Sequence, residues 1–400
     1  MNLLQEGIRN GTVIETTLTR KLTLDGITQS YPVYKVRLDM LYFNDQNDRI
    51  ATWISEYKAT NGELNISDRK TYNTVIEGFI VKSNPEAIKK TKANIELVDQ
   101  REPGVVLSDG RIIDGNRRFA CLRSLTEKND RFKYFETVIL DRNIESNAKQ
   151  IKMLELSIQH GEESKVDYNP VDRLVGIYND IIDTKLLSVA EYARSANESL
   201  PEVNKRIEIA NLMVEFLEFI NAPLQFHLAR DMQIYAPMEA LPVLLKKCHT
   251  EDEKEDVKIS VFTNLLMRSE GDMRQYVRSL KNIIGTDYQE EFIEEQREIA
   301  AKVVESLPDK VDVNTIRDKI RINEDIVQEL SNSLEKSLMK VKKTETRNLP
   351  VQLLEKATFT VESMDLNIIK KLNDSDLRRI ERQLVRLQDA IDQVWSSLNE

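Results

Sequence analysis

Strand-forming patterns in this chain stop near residue 142. Before that point, Thr12 to Thr23 and Ile27 to Leu38 alternate apolar with polar residues and are rich in Thr, Val and Tyr. Asp25-Gly26 between them is a hairpin turn signal. Val105-Val106-Leu107 reads as a short buried strand, Arg111 to Ile113 as another after Asp109-Gly110, and Tyr134 to Leu140 as a third. Helical patterns separate them at Ile50 to Lys58, Ser67 to Val81 and Pro85 to Val98. Asn84 precedes the last of these as a cap, with Pro85 at its first position. From Ile144 onward the chain reads as helix, first at 145–160, 170–183, 188–195 and 200–220. An α+β fold follows: a small mixed α/β domain over 1–142, a helical domain over 143–300, and a C-terminal helical segment over 301–400.

At 400 residues, 40% hydrophobic and 31% charged, the chain can build two or three cores. The apolar stretch around Leu241 to Leu245 is short and holds Pro242, so no membrane span is expected. The first residues lack a basic stretch ahead of an apolar core, and Cys121 and Cys248 lie far apart. A cytoplasmic protein with free thiols is expected. A net charge of −10 excludes a protein that coats nucleic acid nonspecifically. Its three histidines, His160, His227 and His249, have no spaced Cys or Asp partners. They form no nucleophile–base set and no Cys/His metal cluster.

The chemistry concentrates in Arg111 to Arg123, which reads as a strand end, a tight turn at Asp114-Gly115, and a helix start carrying Arg117 and Arg118. Phe119, Leu122 and Leu125 then supply an apolar face. A glycine at the mouth of a helix lets a phosphate approach free N–H groups at the positive end of the dipole. Arginine forks add donors matched to phosphate oxygens. Arginines at a helix start also pair with surface carboxylates, and this short pattern alone does not choose between the two.

Asp114-Gly115-Asn116-Arg117-Arg118 resembles the Gly-x-Arg-Arg box of the ParB/sulfiredoxin superfamily. Two further segments resemble the same superfamily in the same order. Asn44-Asp45-Gln46-Asn47-Asp48-Arg49 is similar to its first box, Asn-Pro-x-Gln-Pro-Arg, with both prolines replaced. Ile158-Gln159-His160 through Asp167-Tyr168-Asn169-Pro170-Val171-Asp172 is similar to the segment that joins nucleotide domain to helical domain in ParB proteins. The resemblance covers roughly residues 30–215. It implies that Gly115, Asn116, Arg117 and Arg118 contact the phosphates of CTP or ATP, with Arg49 as a further cation. The third box of nucleotide-hydrolysing members begins Glu-Asn and ends Gln-Arg, and supplies ligands for Mg²⁺. Here Leu156, Ser157, Gln159 and His160 stand in its place. Leucine offers no oxygen, and Glu155 one position earlier is rotated away by about 100° on a helix. Ala120 stands where many members have another arginine. Sulfiredoxin chemistry requires a cysteine where Asn116 stands, so it is excluded.

Ser188 to Leu212 has the shape of a helix–turn–helix, the DNA-reading pair in the family. Arg194, Lys205 and Arg206 are its DNA-facing candidates, and Glu191, Glu198, Glu202 and Glu208 outnumber them. A structural helix pair is the alternative. Val311 to Val341 is amphipathic, Lys340 to Asn348 with Pro350 reads as a linker, and Leu377, Ile380, Leu384, Leu387, Ile391, Val394 and Leu398 form a heptad seam. The seam is expected to pack on the 311–341 helix, to pair two chains, or both. The expected role is a nucleotide-responsive, DNA-associated switch that forms a homodimer. The alternatives are a nuclease or phosphotransferase assisted by Asp114 or Glu155, and a non-catalytic component of a DNA-modification or phage-defence system bound to an operon-encoded partner.

Overall fold

A computed structural model describes residues 2–24, 26–161 and 169–398, and omits the side chains of His160 and Gly161. Asp25, Asp167 and Tyr168 of the motifs above lie outside these residues, as does the His160 side chain. Five strands, β1 (Val13–Leu24), β2 (Ile27–Arg37), β3 (Gly104–Leu107), β4 (Ile112–Asp114) and β5 (Tyr134–Leu140), form one sheet in the order β1-β2-β5-β3-β4. β3 and β5 run parallel, and the other neighbours are antiparallel. The parallel pair lies inside the sheet, and all of β3 is buried.

Helices α1 (Ala51–Asn61), α2 (Arg69–Ser83), α3 (Pro85–Val98) and α4 (Asn116–Thr126) supply the first core, where Ile54, Ile76, Ile95 and Phe119 meet Val36, Val106 and Phe135 of the sheet. The opposite core takes Val33, Val105, Leu107 and Val138 against Ile151, Leu154 and Ile158 of α5 (Ile144–Gly161). Those three residues recur at helical spacing, and burying each is worth roughly 1.5–3 kcal/mol. The same spacing sets Lys152, Glu155 and Gln159 together on another face of α5.

The chain is helical thereafter. α6 (Pro170–Ile177) runs into a π-helical turn at Tyr178–Asp183, followed by α7 (Val189–Ser195), α8 (Leu200–Phe219), α9 (Phe226–Asp231) and α10 (Tyr235–Leu245). α11 (Glu251–Met267), α12 (Met273–Leu280), α13 (Gln289–Glu305) and the single turn α14 (Val313–Thr315) lead to α15 (Glu324–Glu362). Two shorter pieces close the chain, α16 (Leu366–Ile369) and α17 (Asp374–Ser397). No described helix is long and apolar enough to cross a membrane.

The chain divides into two compact units, Met1–Ser337 and Leu338–Glu400. The segment Lys340 to Pro350, which reads as a linker, is helix interior instead, and α15 carries Pro350 within it. The turn falls later, between Glu362 and Asp374. In the second unit α17 begins at its expected cap, with the Asn373 side chain accepting from the Asp376 N–H at 3.0 Å. None of its described residues is buried: Leu384, Ile391, Val394 and Leu398 of the seam are exposed. Leu377, Ile380 and Leu387 are half-buried, so within its unit the seam is only partly covered.

Candidate functional site

The β4-to-α4 turn is built on a glycine that no other residue replaces without strain. Gly115 has φ +97°, and a Cβ there would sit 2.7 Å from the Phe135 ring and 3.1 Å from the Arg118 guanidinium. Asp114 just before it is held twice through Oδ2, by Arg20 Nη1 at 2.7 Å and Arg118 Nη2 at 2.9 Å. Arg20 also donates to the Pro103 carbonyl at 2.6 Å. These bonds fix the strand end. They also occupy the carboxylate that the sequence offers as a catalytic group.

A cavity of about 190 Å³ opens at the start of α4. Asp114, Gly115, Asn116, Arg117 and Arg118 line it, and Arg49 reaches it from a distant stretch of chain. Asn47 caps the short turn that carries Arg49, accepting the Arg49 N–H at 3.1 Å. Gln159 of α5 completes that side. Asn116 is 8% exposed, and its Oδ1 has no hydrogen-bond partner among the described residues. A buried polar atom left so costs on the order of 1–3 kcal/mol unless a ligand or water pairs with it.

The far wall comes from residues that carry no motif. Ser83 closes α2, Thr91 and Asn94 lie on α3, and Gln100 to Glu102 form the loop before β3. Gln100 clamps that loop to β5, donating to the Glu136 carbonyl at 2.7 Å and accepting its N–H at 2.9 Å. The one advance signal for this wall is the Asn84-Pro85 helix start.

The donor set suits an anion. Helix N–H groups, arginine forks and an amide converge on one space. It suits Mg²⁺ less well. The carboxylates on the described wall are Glu102 and Asp114, and Asp114 is already paired. Among the described residues no group of three or more His, Cys, Asp or Glu could hold a metal ion. Cys121 lies a turn beyond Arg117; it is buried, and burial pushes its thiol up to about 11. It is therefore no thiolate nucleophile near neutrality.

Glu155 does not line the cavity. It is fully buried one step behind, where its Oε1 accepts from Gln159 Nε2 at 3.0 Å. There Lys152 gathers three carboxylates: Asp48 at 2.7 Å, Asp180 at 3.5 Å and Glu155 at 3.8 Å. All four side chains are less than 10% exposed. Burial, and then mutual repulsion of the acids, raises Glu155 and Asp180 well above the carboxylate range. Gly176 of α6 fits against this cluster, since a Cβ there would lie 2.6 Å from Asp48 Oδ2. Asp48 precedes Arg49, so both Arg49 and Gln159 hang from the cluster.

The helix pair α7–α8 lies elsewhere. A capping box opens it, with the Ser188 side chain accepting the Glu191 N–H. Lys205 pairs with Glu239 at 2.9 Å, and Arg206 pairs with Glu198 and, at 3.0 Å, with Glu202. Arg194 is exposed.

No protein-family model matches the chain, and no curated protein matches it in sequence.

Proposed function

We propose that this chain is a ParB/sulfiredoxin-like protein whose sheet domain binds the phosphate groups of a nucleotide, CTP or ATP, at the start of α4. One observation carries the reading. Arg49 and the run Gly115 to Arg118, from separate stretches of sequence, face one cavity together. A bound phosphate pairs with Arg117 and the α4 N–H groups. Gln159 and Arg49 tie the cavity to the Lys152 cluster, which includes Asp180 of the helical segment. Occupancy is thereby placed to bias how the helices pack, the action of a ligand-responsive switch.

Turnover is not part of the proposal. Asp114 is held by two arginines and Glu155 sits behind the cavity, so neither is poised as a base. Association with DNA and dimerisation through α17 belong to the same reading, the first resting on resemblance and the second on the exposed seam. A thermal-shift panel of nucleotides, each with and without Mg²⁺, tests it. Stabilisation by CTP or ATP without hydrolysis supports the proposal; no stabilisation by any nucleotide or by phosphate overturns it.

A further inference from the structure

Arg20 stands on β1, ahead of the stretch that carries the family resemblance. Strand alternation places it on one face with Leu22 and Leu24. Both leucines are buried in the core that α5 covers with Ile151, Leu154 and Ile158. The face turns inward, and the Arg20 side chain is only 10% exposed. A cation held there needs acceptors close by. Arg20 Nη1 donates to the Pro103 carbonyl at 2.6 Å and to Asp114 Oδ2 at 2.7 Å. Pro103 follows the Gln100 to Glu102 loop of the far wall, and Asp114 ends β4 just before the turn into α4. Arg20 does not itself line the cavity. Whatever it does for the site, it does through its neighbours.

The charge count at Asp114 decides what this contact does. Asp114 lines the cavity, and its carboxylate repels an anion there. Arg118, four residues on, pairs with the same Oδ2 through Nη2 at 2.9 Å. One carboxylate and one guanidinium sum to zero, which leaves an incoming anion nothing to gain from the pair. Arg20 brings a second cation to that oxygen, so the three groups carry one net positive charge. The Arg118 guanidinium folds over the turn, where a Cβ on Gly115 would sit 3.1 Å from Nη2 and 3.3 Å from Nε. Its Nε is buried with no hydrogen-bond partner among the described residues.

We propose that Arg20 is a positioning residue of the anion site: it holds and neutralises Asp114, so that Arg118 is available to the ligand. This rests on the phosphate reading above and names a residue outside the motifs that sets the charge of the site. An anion at the start of α4 competes with Asp114 for Arg118. With Arg20 in place, Asp114 keeps a cationic partner when Arg118 turns to the ligand, and no buried carboxylate is left uncompensated. The β1–β2 hairpin thereby takes part in binding without touching the ligand.

The test is calorimetric titration of the full chain with CTP, ATP and orthophosphate, using Arg20→Met, Asp114→Asn and the double variant. Methionine keeps an extended side chain and removes the charge. Counted over positions 20, 114 and 118, the net charge is +1 in wild type, 0 in Arg20→Met, +2 in Asp114→Asn and +1 in the double variant. Affinity is expected to follow that order. Arg20→Met weakens the ligand that wild type binds by about tenfold or more. Asp114→Asn tightens it by about threefold or more. The double variant returns to about the wild-type value. That rescue separates charge balance from a mere strap between β1 and the far-wall loop, because neutralising Asp114 does not restore a lost strap. Three results each overturn the role of Arg20 and leave the phosphate reading standing: Arg20→Met binding like wild type, a double variant as weak as Arg20→Met, or Asp114→Asn binding no tighter than wild type. The Asp114→Asn arm decides the matter even where Arg20→Met fails to fold. Failure of wild type to bind any of the three ligands overturns both.

Discussion

Arg117 lines the cavity at the start of α4. Replacing it by alanine removes a charge-assisted donor set worth on the order of 1.5–3 kcal/mol. Gly115→Ala acts differently. It forces a Cβ into a backbone of φ +97° and against Phe135, so it is expected to lower stability by about 1–3 kcal/mol as well as closing the cavity. Chemical denaturation reads this directly, and a variant as stable as wild type would show that the turn is not constrained as described. Lys152 makes a sharper case. Lys152→Met keeps the volume but leaves Asp48, Glu155 and Asp180 buried without their cation. A loss of about 3–5 kcal/mol is expected, and a loss under 1 kcal/mol would contradict the cluster.

The same cluster sets a pH dependence. Burial pushes Glu155 up to about 8 and Asp180 up to about 7. Unfolded, both titrate near the ordinary carboxylate value of about 4. Between those values the folded chain holds protons that the unfolded chain has released. Stability therefore falls as pH rises from about 5 to 8, by at most about 1.4 kcal/mol per pH unit for each proton held. Urea midpoints across that range measure it, and Glu155→Gln should flatten the slope. Rising stability over the window would reverse the sign and refute the assignment.

At the scale of elements, most of the sheet domain was legible. The hairpin strands, the Asn84 cap and the strand–glycine–helix run fall where local pattern puts them, because short-range signals decide them. The Arg49 turn was legible as a candidate through resemblance only. The α2–α3 wall was not legible, since its approach to the cavity is a product of packing between elements far apart in sequence. Lys152 was hidden for the same reason: on α5 it looks like a solvated lysine until Asp48 and Asp180 close around it. The Lys340–Pro350 misreading is of another kind. Charged residues are good helix formers, and Pro350 costs a hydrogen bond without ending the helix. For α7–α8 the ion pairs of Lys205 and Arg206 oppose a strong DNA contact. Duplex DNA binding is expected to be weak at physiological salt and to fall steeply from low salt. Filter binding across a salt series checks this, and tight, salt-insensitive binding to random duplex would place the basic surface elsewhere.

At the scale of the whole molecule, the open question is what covers α17. Seam residues Leu384, Ile391, Val394 and Leu398 are exposed, as is Trp395 beside them. A lone helix of this length is marginal in water. Arg378, Arg379, Arg382 and Arg386 mix with Asp376, Glu381 and Asp389 along it, so its polar side carries both signs. A second copy packed seam against seam covers the exposed seam residues. Light scattering should report a dimer for the full chain and a monomer for a chain ending at Lys371. Two monomers of equal stability would remove α17 as a contact. The most direct measurement on the molecule's central property is a titration of the full chain with CTP and with ATP, wild type beside Arg117→Ala. Saturable binding is expected in wild type, weakened by about tenfold or more in the variant at an unchanged melting temperature. Equal affinity in the two proteins, or no binding to wild type, would contradict the phosphate site at the start of α4.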